Sequence, residues 1–303
     1  MKILVATEKP FAKAAVDGIR EIVENAGHEL ALLERYTDKA QLLEAVADVD
    51  AMIVRSDKVT AEVIDAAPQL KVVVRAGAGY DNLDLAKCTE RGIVAMNTPG
   101  QNSNAVAELA IAMMIYMFRN QFKPGTGMEI SGKHLGIIGF GNIGQLVAKK
   151  AVGLGMEVLV YTNEIKERHK RWNTTFSKDK LYSTCNFVSV NIPATPMTKH
   201  SVGYDLISQM PKGACLINTA RKEIIDEEGL IKAMEERPDL KYATDVAPER
   251  YAEMKEKFGE RVFATPKKMG AETSEANINA GLAAAHQIVE YFELGNTRFQ
   301  VNK

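Results

Sequence analysis

Three cysteines, Cys88, Cys185 and Cys215, are all that this chain of 303 residues carries. An odd number of thiols so far apart suits neither a disulfide framework nor a zinc site, and no metal site is expected. Reduced, buried thiols in a cytoplasmic protein are the simpler reading. Excess charge of one sign is also missing: 38 Lys and Arg stand against 39 Asp and Glu, a formal net charge of −1. Such a balance creates no global field for nucleic acid, so an anionic partner has to be held by local groups. No apolar run is long enough to span a membrane, and the one in residues 1–7 is too short for a signal peptide. Internal repeats and low-complexity tracts are absent as well. With 46% hydrophobic and 25% charged residues, disorder and fibrous classes are excluded. The length suits roughly two domains.

What is present is alternation. Short apolar runs rich in β-branched residues recur as KILVAT (2–7), ELALLE (29–34), AMIVRS (51–56), KVVVRAG (71–77) and IVAMN (93–97). They continue as HLGIIGF (134–140), EVLVY (157–161), NFVSVNIP (186–193), ACLINTA (214–220), KYATDV (241–246) and RVFATP (261–266). Runs this continuous suit parallel strands buried on both faces, with crossover helices between them. The expected class is α/β, doubly wound. Residues 102–119 read as one long helix, opened by Asn102-Ser103-Asn104, whose Met113, Met114 and Met117 are core packing. Pro124-Gly125-Thr126-Gly127 forms a punctuated linker. A last helix over 273–294 has no strand after it and is free to cross back to the first half. Residues 295–303 read as a polar tail.

Gly139-Phe140-Gly141-Asn142-Ile143-Gly144 directly follows the strand run 134–140 and opens a helix. A GxGxxG sequence alone is weak, but here it has the flanking elements that dinucleotide binding requires. Gly139 makes the tight turn, Gly141 lets a pyrophosphate approach the backbone, and Gly144 packs helix on strand. Free N–H groups at the helix start then meet the anion. The run 157–161 should end on a carboxylate for the adenosine ribose, but Thr162 and Asn163 follow it. Lys166, Arg168, His169, Lys170 and Arg171 come soon after, and are either a 2′-phosphate site or a solvated face. A dinucleotide is therefore the expected cofactor.

The order of VRAGAGYDNLDL (74–85), MNTPGQNSNAVAELA (96–110), GIIGFGNIG (136–144), INTARKEIIDEEGL (217–230) and MGAET (269–273) resembles the D-2-hydroxyacid dehydrogenases, most closely their phosphoglycerate-oxidising branch in a short form. The resemblance runs from about residue 2 to the last helix. It implies a flavodoxin-like substrate domain (1–98 and 274–303) and a Rossmann dinucleotide domain (99–273), with NAD as the cofactor and NADP possible. It also implies a homodimer, although the segment joining the helix over 102–119 to the next strand, which carries a dimer contact in the family, is short here. Arg221 matches the catalytic arginine that clamps the substrate carboxylate, and Asp245 the carboxylate on the nicotinamide carboxamide. With the glycine turn and its Asn142 and Ile143, the cofactor set is completed by Thr162, Ile192, Pro193, Thr219, Ala220 and Gly270. Ala78 and Gly79 correspond to the loop whose backbone donors bind the substrate carboxylate. Arg55, Ser56 and Arg75 lie where the phosphate is recognised, with Asn102 and Ser103 as further donors.

Two departures concern the proton. The family's acid–base pair is a Glu after the strand of Asp245 and a His in a Pro-His-x-Gly-Ala sequence. Here the first segment reads Asp245-Val-Ala-Pro-Glu249, out of register for that Glu. The second is Pro266-Lys267-Lys268-Met269-Gly270-Ala271, with no His and one residue more. Counting back from Met-Gly-Ala puts Lys268 in the His position; counting forward gives Lys267. Lys268 is preferred, because the Gly-Ala side borders the cofactor in the family. Each of the five histidines, His28, His134, His169, His200 and His286, reads as an ordinary surface or half-buried residue. The expected activity is oxidation of 3-phospho-D-glycerate to 3-phosphohydroxypyruvate with NAD, the first step of L-serine biosynthesis. The substrate is thus a small phosphorylated 2-hydroxy or 2-keto acid. The rivals are a hydroxypyruvate or glyoxylate reductase, or a non-catalytic NAD(H)-sensing protein. With no domain expected after Lys303, serine feedback through an attached domain is not anticipated.

Overall fold

Each apolar run of the first hundred residues becomes a parallel strand: β1 Lys2–Thr7, β2 Glu29–Glu34, β3 Ala51–Val54, β4 Val72–Arg75 and β5 Val94–Asn97. Their order, β2-β1-β3-β4-β5, is that of flavodoxin-like sheets. Successive side chains of a strand point to opposite faces, and both faces here are buried. Leu4, Met52, Val54, Val73 and Ala95 pack with Leu42, Val63 and Cys88. Ile3, Val5, Ile53, Val72 and Val74 pack with Ile19, Val23, Ala284 and Ile288. The computed structural model describes residues 1–303 and divides them into unit 1, Met1–Asn102 with Glu272–Lys303, and unit 2, Ser103–Ala271. The last helix, Ser274–Leu294, belongs to unit 1 and packs on the helix Lys13–Asn25. Small residues permit that approach: a Cβ on Gly281 would meet Ile19 Cδ1 at 3.0 Å.

Unit 2 carries seven parallel strands: β6 His134–Ile138, β7 Glu157–Tyr161, β8 Asn173–Thr175, β9 Phe187–Val190, β10 Cys215–Asn218, β11 Lys241–Thr244 and β12 Val262–Ala264. Their order, β12-β11-β10-β9-β6-β7-β8, is the Rossmann arrangement with one more strand at its far edge. The helix Ser103–Phe118 opens this unit, and Met113, Met114 and Met117 lie in its core. All three cysteines are buried and unpaired. No helix is long and apolar enough to cross a membrane.

Two expectations are corrected. The polar edge strand β8, Asn-Thr-Thr, has no apolar run to announce it. Residues 295–303 are not a free tail: the Asn302 side chain is buried, accepting from Ala95 N at 2.9 Å and donating to Ile93 O at 2.8 Å. Gln300 also forms an antiparallel bridge with Met96.

Candidate active site

The strands of unit 2 end in register. Tyr161, Ile138, Val190, Asn218, Thr244 and Ala264 face one another across the sheet. The residues that follow these six strands, Thr162, Gly139, Asn191, Thr219, Asp245 and Thr265, therefore form a row past the carboxyl ends. Adjacent strands lie about 4.8 Å apart. This is the edge at which open α/β sheets bind ligands, and every cofactor and catalytic residue expected in unit 2 lies on the row or just beyond it.

At the centre of the row is the glycine turn. Gly139 has φ +90°, and a Cβ there would fall 2.6 Å from Asn191 O and 2.7 Å from Ile192 Cγ2. A Cβ on Gly144 would collide with Gly139 O, whereas one on Gly141 would meet nothing within 4 Å. Two glycines are thus required by packing, and the third leaves open space before the helix Asn142–Gly153. Two strands along the row, after β10, Thr219 Oγ1 is buried with no protein partner. The open helix N-terminus suits a dinucleotide pyrophosphate, and the orphaned hydroxyl suits a further polar group of such a cofactor. Ile192 and Pro193 follow β9, and Ala220 follows Thr219 on the turn after β10.

Thr162 Oγ1 donates to Glu164 O at 2.6 Å and accepts from Glu164 N at 3.2 Å. Among the basic residues that follow, Lys166 pairs with Glu164 and Lys170 with Glu167, as on a solvated surface. His169, however, is buried, correcting its surface reading: its Nδ1 accepts from Lys166 N at 2.8 Å. Its ring stacks on Phe140 of the glycine turn, centroids 5.4 Å apart. Burial, then the Arg168 and Lys166 charges, hold it below the usual histidine range.

Arg221 follows β10 and is half-buried. The Asn218 side chain fixes its turn, donating to Arg221 O and accepting from Ala220 N, both at 3.0 Å. Asp245, next along the row, is 1% exposed. Its carboxylate accepts from Met269 N at 2.7 Å, Gly270 N at 2.8 Å and Thr265 Oγ1 at 3.0 Å. Between these anchors the side chains of Lys267 and Lys268 are exposed. Glu249 is not brought to this cluster by any contact: its side chain is 77% exposed and accepts from Lys222 Nζ at 3.0 Å.

In unit 1 the candidate substrate residues gather at the ends of β3, β4 and β5. Arg55 commits three of its five N–H donors internally, to Lys9 O (3.0 Å), Pro10 O (3.2 Å) and Asn277 Oδ1 (2.6 Å). Its guanidinium also lies 5.3 Å from the Phe11 ring centroid. Arg75 Nε donates to Arg55 O at 3.0 Å. Gly77 has φ +150°, which favours glycine, and the Arg75 guanidinium lies over it in the space a Cβ would take. Ala78 and Gly79 continue this turn, and Asn97 Nδ2 holds Ala78 O at 2.6 Å. Ser56 is exposed, and Asn102 Oδ1 is buried without a protein partner.

The sequence profile of the D-isomer specific 2-hydroxyacid dehydrogenase NAD-binding domain matches residues 106–267. The chain belongs to the D-2-hydroxyacid dehydrogenase family. It is similar to the hydroxypyruvate reductase of Thermotoga maritima, 35% identical over 285 residues, covering 88% of this chain and 92% of that one. It is 38% identical over 268 residues to the D-3-phosphoglycerate dehydrogenase of Methanocaldococcus jannaschii, covering 82% of this chain but only about half (51%) of that longer protein. Among solved structures, the NAD⁺-bound 3-phosphoglycerate dehydrogenase of Entamoeba histolytica is 52% identical, with a TM-score of 0.89, covering 100% of this chain and 99% of that one.

In this NAD-dependent 2-hydroxyacid dehydrogenase several supporting residues escaped sequence reading. Asn218, Gly77 and Asn277 touch the candidate residues rather than a ligand, and their types are ordinary for turns and caps. Only the position of Asn218 one residue before the TAR sequence hinted at its clamp.

Proposed function

We propose that this dehydrogenase oxidises 3-phospho-D-glycerate to 3-phosphohydroxypyruvate, the first step of L-serine biosynthesis. The observation that carries the reading is Arg75, whose guanidinium is held over Gly77 by the Arg55 carbonyl. A fixed guanidinium fork matches a phosphate. The full-length likeness to the Entamoeba phosphoglycerate dehydrogenase supports it. The glycine turn, Thr219 and Asp245 would hold NAD, which would supply the hydride acceptor for C2. Arg221 clamps the carboxylate and stabilises charge on the C2 oxygen. Lys268 accepts the hydroxyl proton. Arg75 holds the phosphate, with Arg55 mainly its support, and Asp245 leaves a lone pair for the nicotinamide carboxamide. The Thermotoga relative favours a second reading, a hydroxypyruvate reductase. NADH consumption with phosphohydroxypyruvate, hydroxypyruvate and glyoxylate in parallel decides: a preference for hydroxypyruvate overturns the phosphoglycerate reading.

If Arg75 binds phosphate, Arg75→Met raises KM for phosphohydroxypyruvate about tenfold to a hundredfold, the value of one charge-assisted hydrogen bond. KM for hydroxypyruvate should stay nearly constant. Equal losses on both substrates refute the phosphate contact.

A homodimer also belongs to this reading. Leu109, Ala112, Ile115, Tyr116, Phe122 and Phe263 line an apolar depression of about 430 Å³ in unit 2. The backbone at Asn120, Gln121 and Phe122 is left-handed (φ +52°, +57° and +59°), and it presents a Phe122 that is 70% exposed. Three such non-glycine residues in a row are costly unless a contact needs them. Phe122→Asp is therefore expected to yield monomers by light scattering; an unchanged mass removes this face from the interface. The three thiols, which burial pushes up to about 11 for Cys88 and about 12 for Cys185 and Cys215, support a reducing cytoplasmic setting.

A further inference from the structure

We infer that Asp245 is a positioning residue that sets the register of the two-lysine turn and so selects Lys268, not Lys267, as the amine that exchanges the proton. The inference rests on the lysine reading of the proposed reaction and deepens it. Asp245 grips both ends of the turn: at one end the single hydroxyl proton of Thr265 lies between Asp245 O at 2.7 Å and Oδ1 at 3.0 Å, and at the other the buried carboxylate accepts from Met269 N and Gly270 N. Thr265 is itself tied to the sheet, its N–H donating to Thr244 O at 3.1 Å. A Cβ on Gly270 would lie 2.8 Å from Asp245 Oδ2 and 3.2 Å from Val106 Cγ2, so a bulkier residue there would push the carboxylate off its donors. Lys268 contributes the carbonyl half of the peptide unit whose N–H, on Met269, Asp245 holds. Its backbone is thereby fixed on one side. Lys267 lies two residues from either anchor and has no such restraint. Hydrogen bonds to an ionised carboxylate are about twice as strong as neutral ones, and this carboxylate has little solvent to fall back on. Two backbone donors and the shared Thr265 hydroxyl occupy at most three of about four acceptor sites, which leaves one for the nicotinamide carboxamide. The same side chain can therefore hold the turn and the cofactor.

Asp245→Asn keeps the shape but replaces an acceptor by an NH₂ that faces a backbone N–H. Removing one such bond is expected to lower kcat for phosphoglycerate oxidation by about tenfold or more. The rise of kcat with pH should shift or flatten, whereas loss of the carboxamide contact alone raises the Kd of NADH, followed by its fluorescence, and leaves that rise in place. Thr265→Val removes only the hydroxyl donor and should move the same quantities less far, which guards against a misfolded Asn variant. If Asp245 acts through Lys268, the double variant Asp245→Asn, Lys268→Met loses no more kcat than Lys268→Met alone. Additive losses overturn the inference, as does an Asp245→Asn enzyme that weakens NADH binding while keeping kcat and its pH profile. Lys268→Met alone separates the two ideas. If it leaves the pH-dependent rise intact, the lysine reading fails. If it abolishes the rise while Asp245→Asn does nothing, only the positioning role fails.

Discussion

Lys268→Met is expected to depress kcat for 3-phosphoglycerate oxidation by about a hundredfold or more and to abolish its rise with pH, while NADH still binds. The sign follows from the amine. Oxidation at C2 releases a proton along with the hydride, so Lys268 has to be neutral to accept it. An unperturbed lysine has a pKa of about 10.4, and making it neutral at pH 7 costs about 4.6 kcal/mol. Raising the pH increases the neutral fraction, so oxidation should climb to an apparent pKa above about 8, well past the range of a free histidine. Reduction of the keto acid needs the ammonium instead and should decline over the same interval. If Lys267→Met loses activity and Lys268→Met retains it, the acid–base position is one residue earlier. If both retain it, the proton travels by another route.

Arg221→Met should cost more than loss of any other single group on the carboxylate side. Removing one donor aimed at developing negative charge lowers kcat by about 10²–10³, or about 2.7–4 kcal/mol. In the proposed reaction Arg221 supplies that donor and also the carboxylate clamp, so kcat/KM should fall by about 10³ or more. Arg221→Lys restores the charge but not the planar fork, and should recover about tenfold at most. The measurement is steady-state kinetics on both substrates with NADH affinity as the control. A variant that keeps kcat and raises only KM would make Arg221 a binding residue alone.

The strand–helix alternation made both sheets legible, because β-branched runs buried on two faces leave a strong local signature. The apolar runs overshoot the strands: 186–193 became Phe187–Val190, since the remainder turns outward into the site. Short polar elements were silent. β8 is three polar residues held at a sheet edge, and Asn302 docks through hydrogen bonds that no periodicity reports. His169 looked like part of a charged surface stretch, yet one aromatic neighbour, Phe140, and one backbone donor bury it. The candidate site was legible in its ligating residue types and much less so in what restrains them. That Arg55 is turned largely inward by Lys9, Pro10 and Asn277 depends on contacts across 46, 45 and 222 positions of sequence.

Unit 1 is written in two pieces, with all of unit 2 inserted between them. A ribosome delivers Met1–Asn102 long before Ser274–Leu294 exists. Until then the face built from Ile3, Val5, Ile53 and Val74 lacks the Ala280, Ala284 and Ile288 that complete its cover. Unit 2 has no such wait, because its sheet and core are finished once Ala271 has emerged. The nascent chain therefore matures in reverse of its reading order, the inserted unit closing before the one that began first. During that interval an apolar sheet surface stands open to chaperones and to neighbouring chains on the same message.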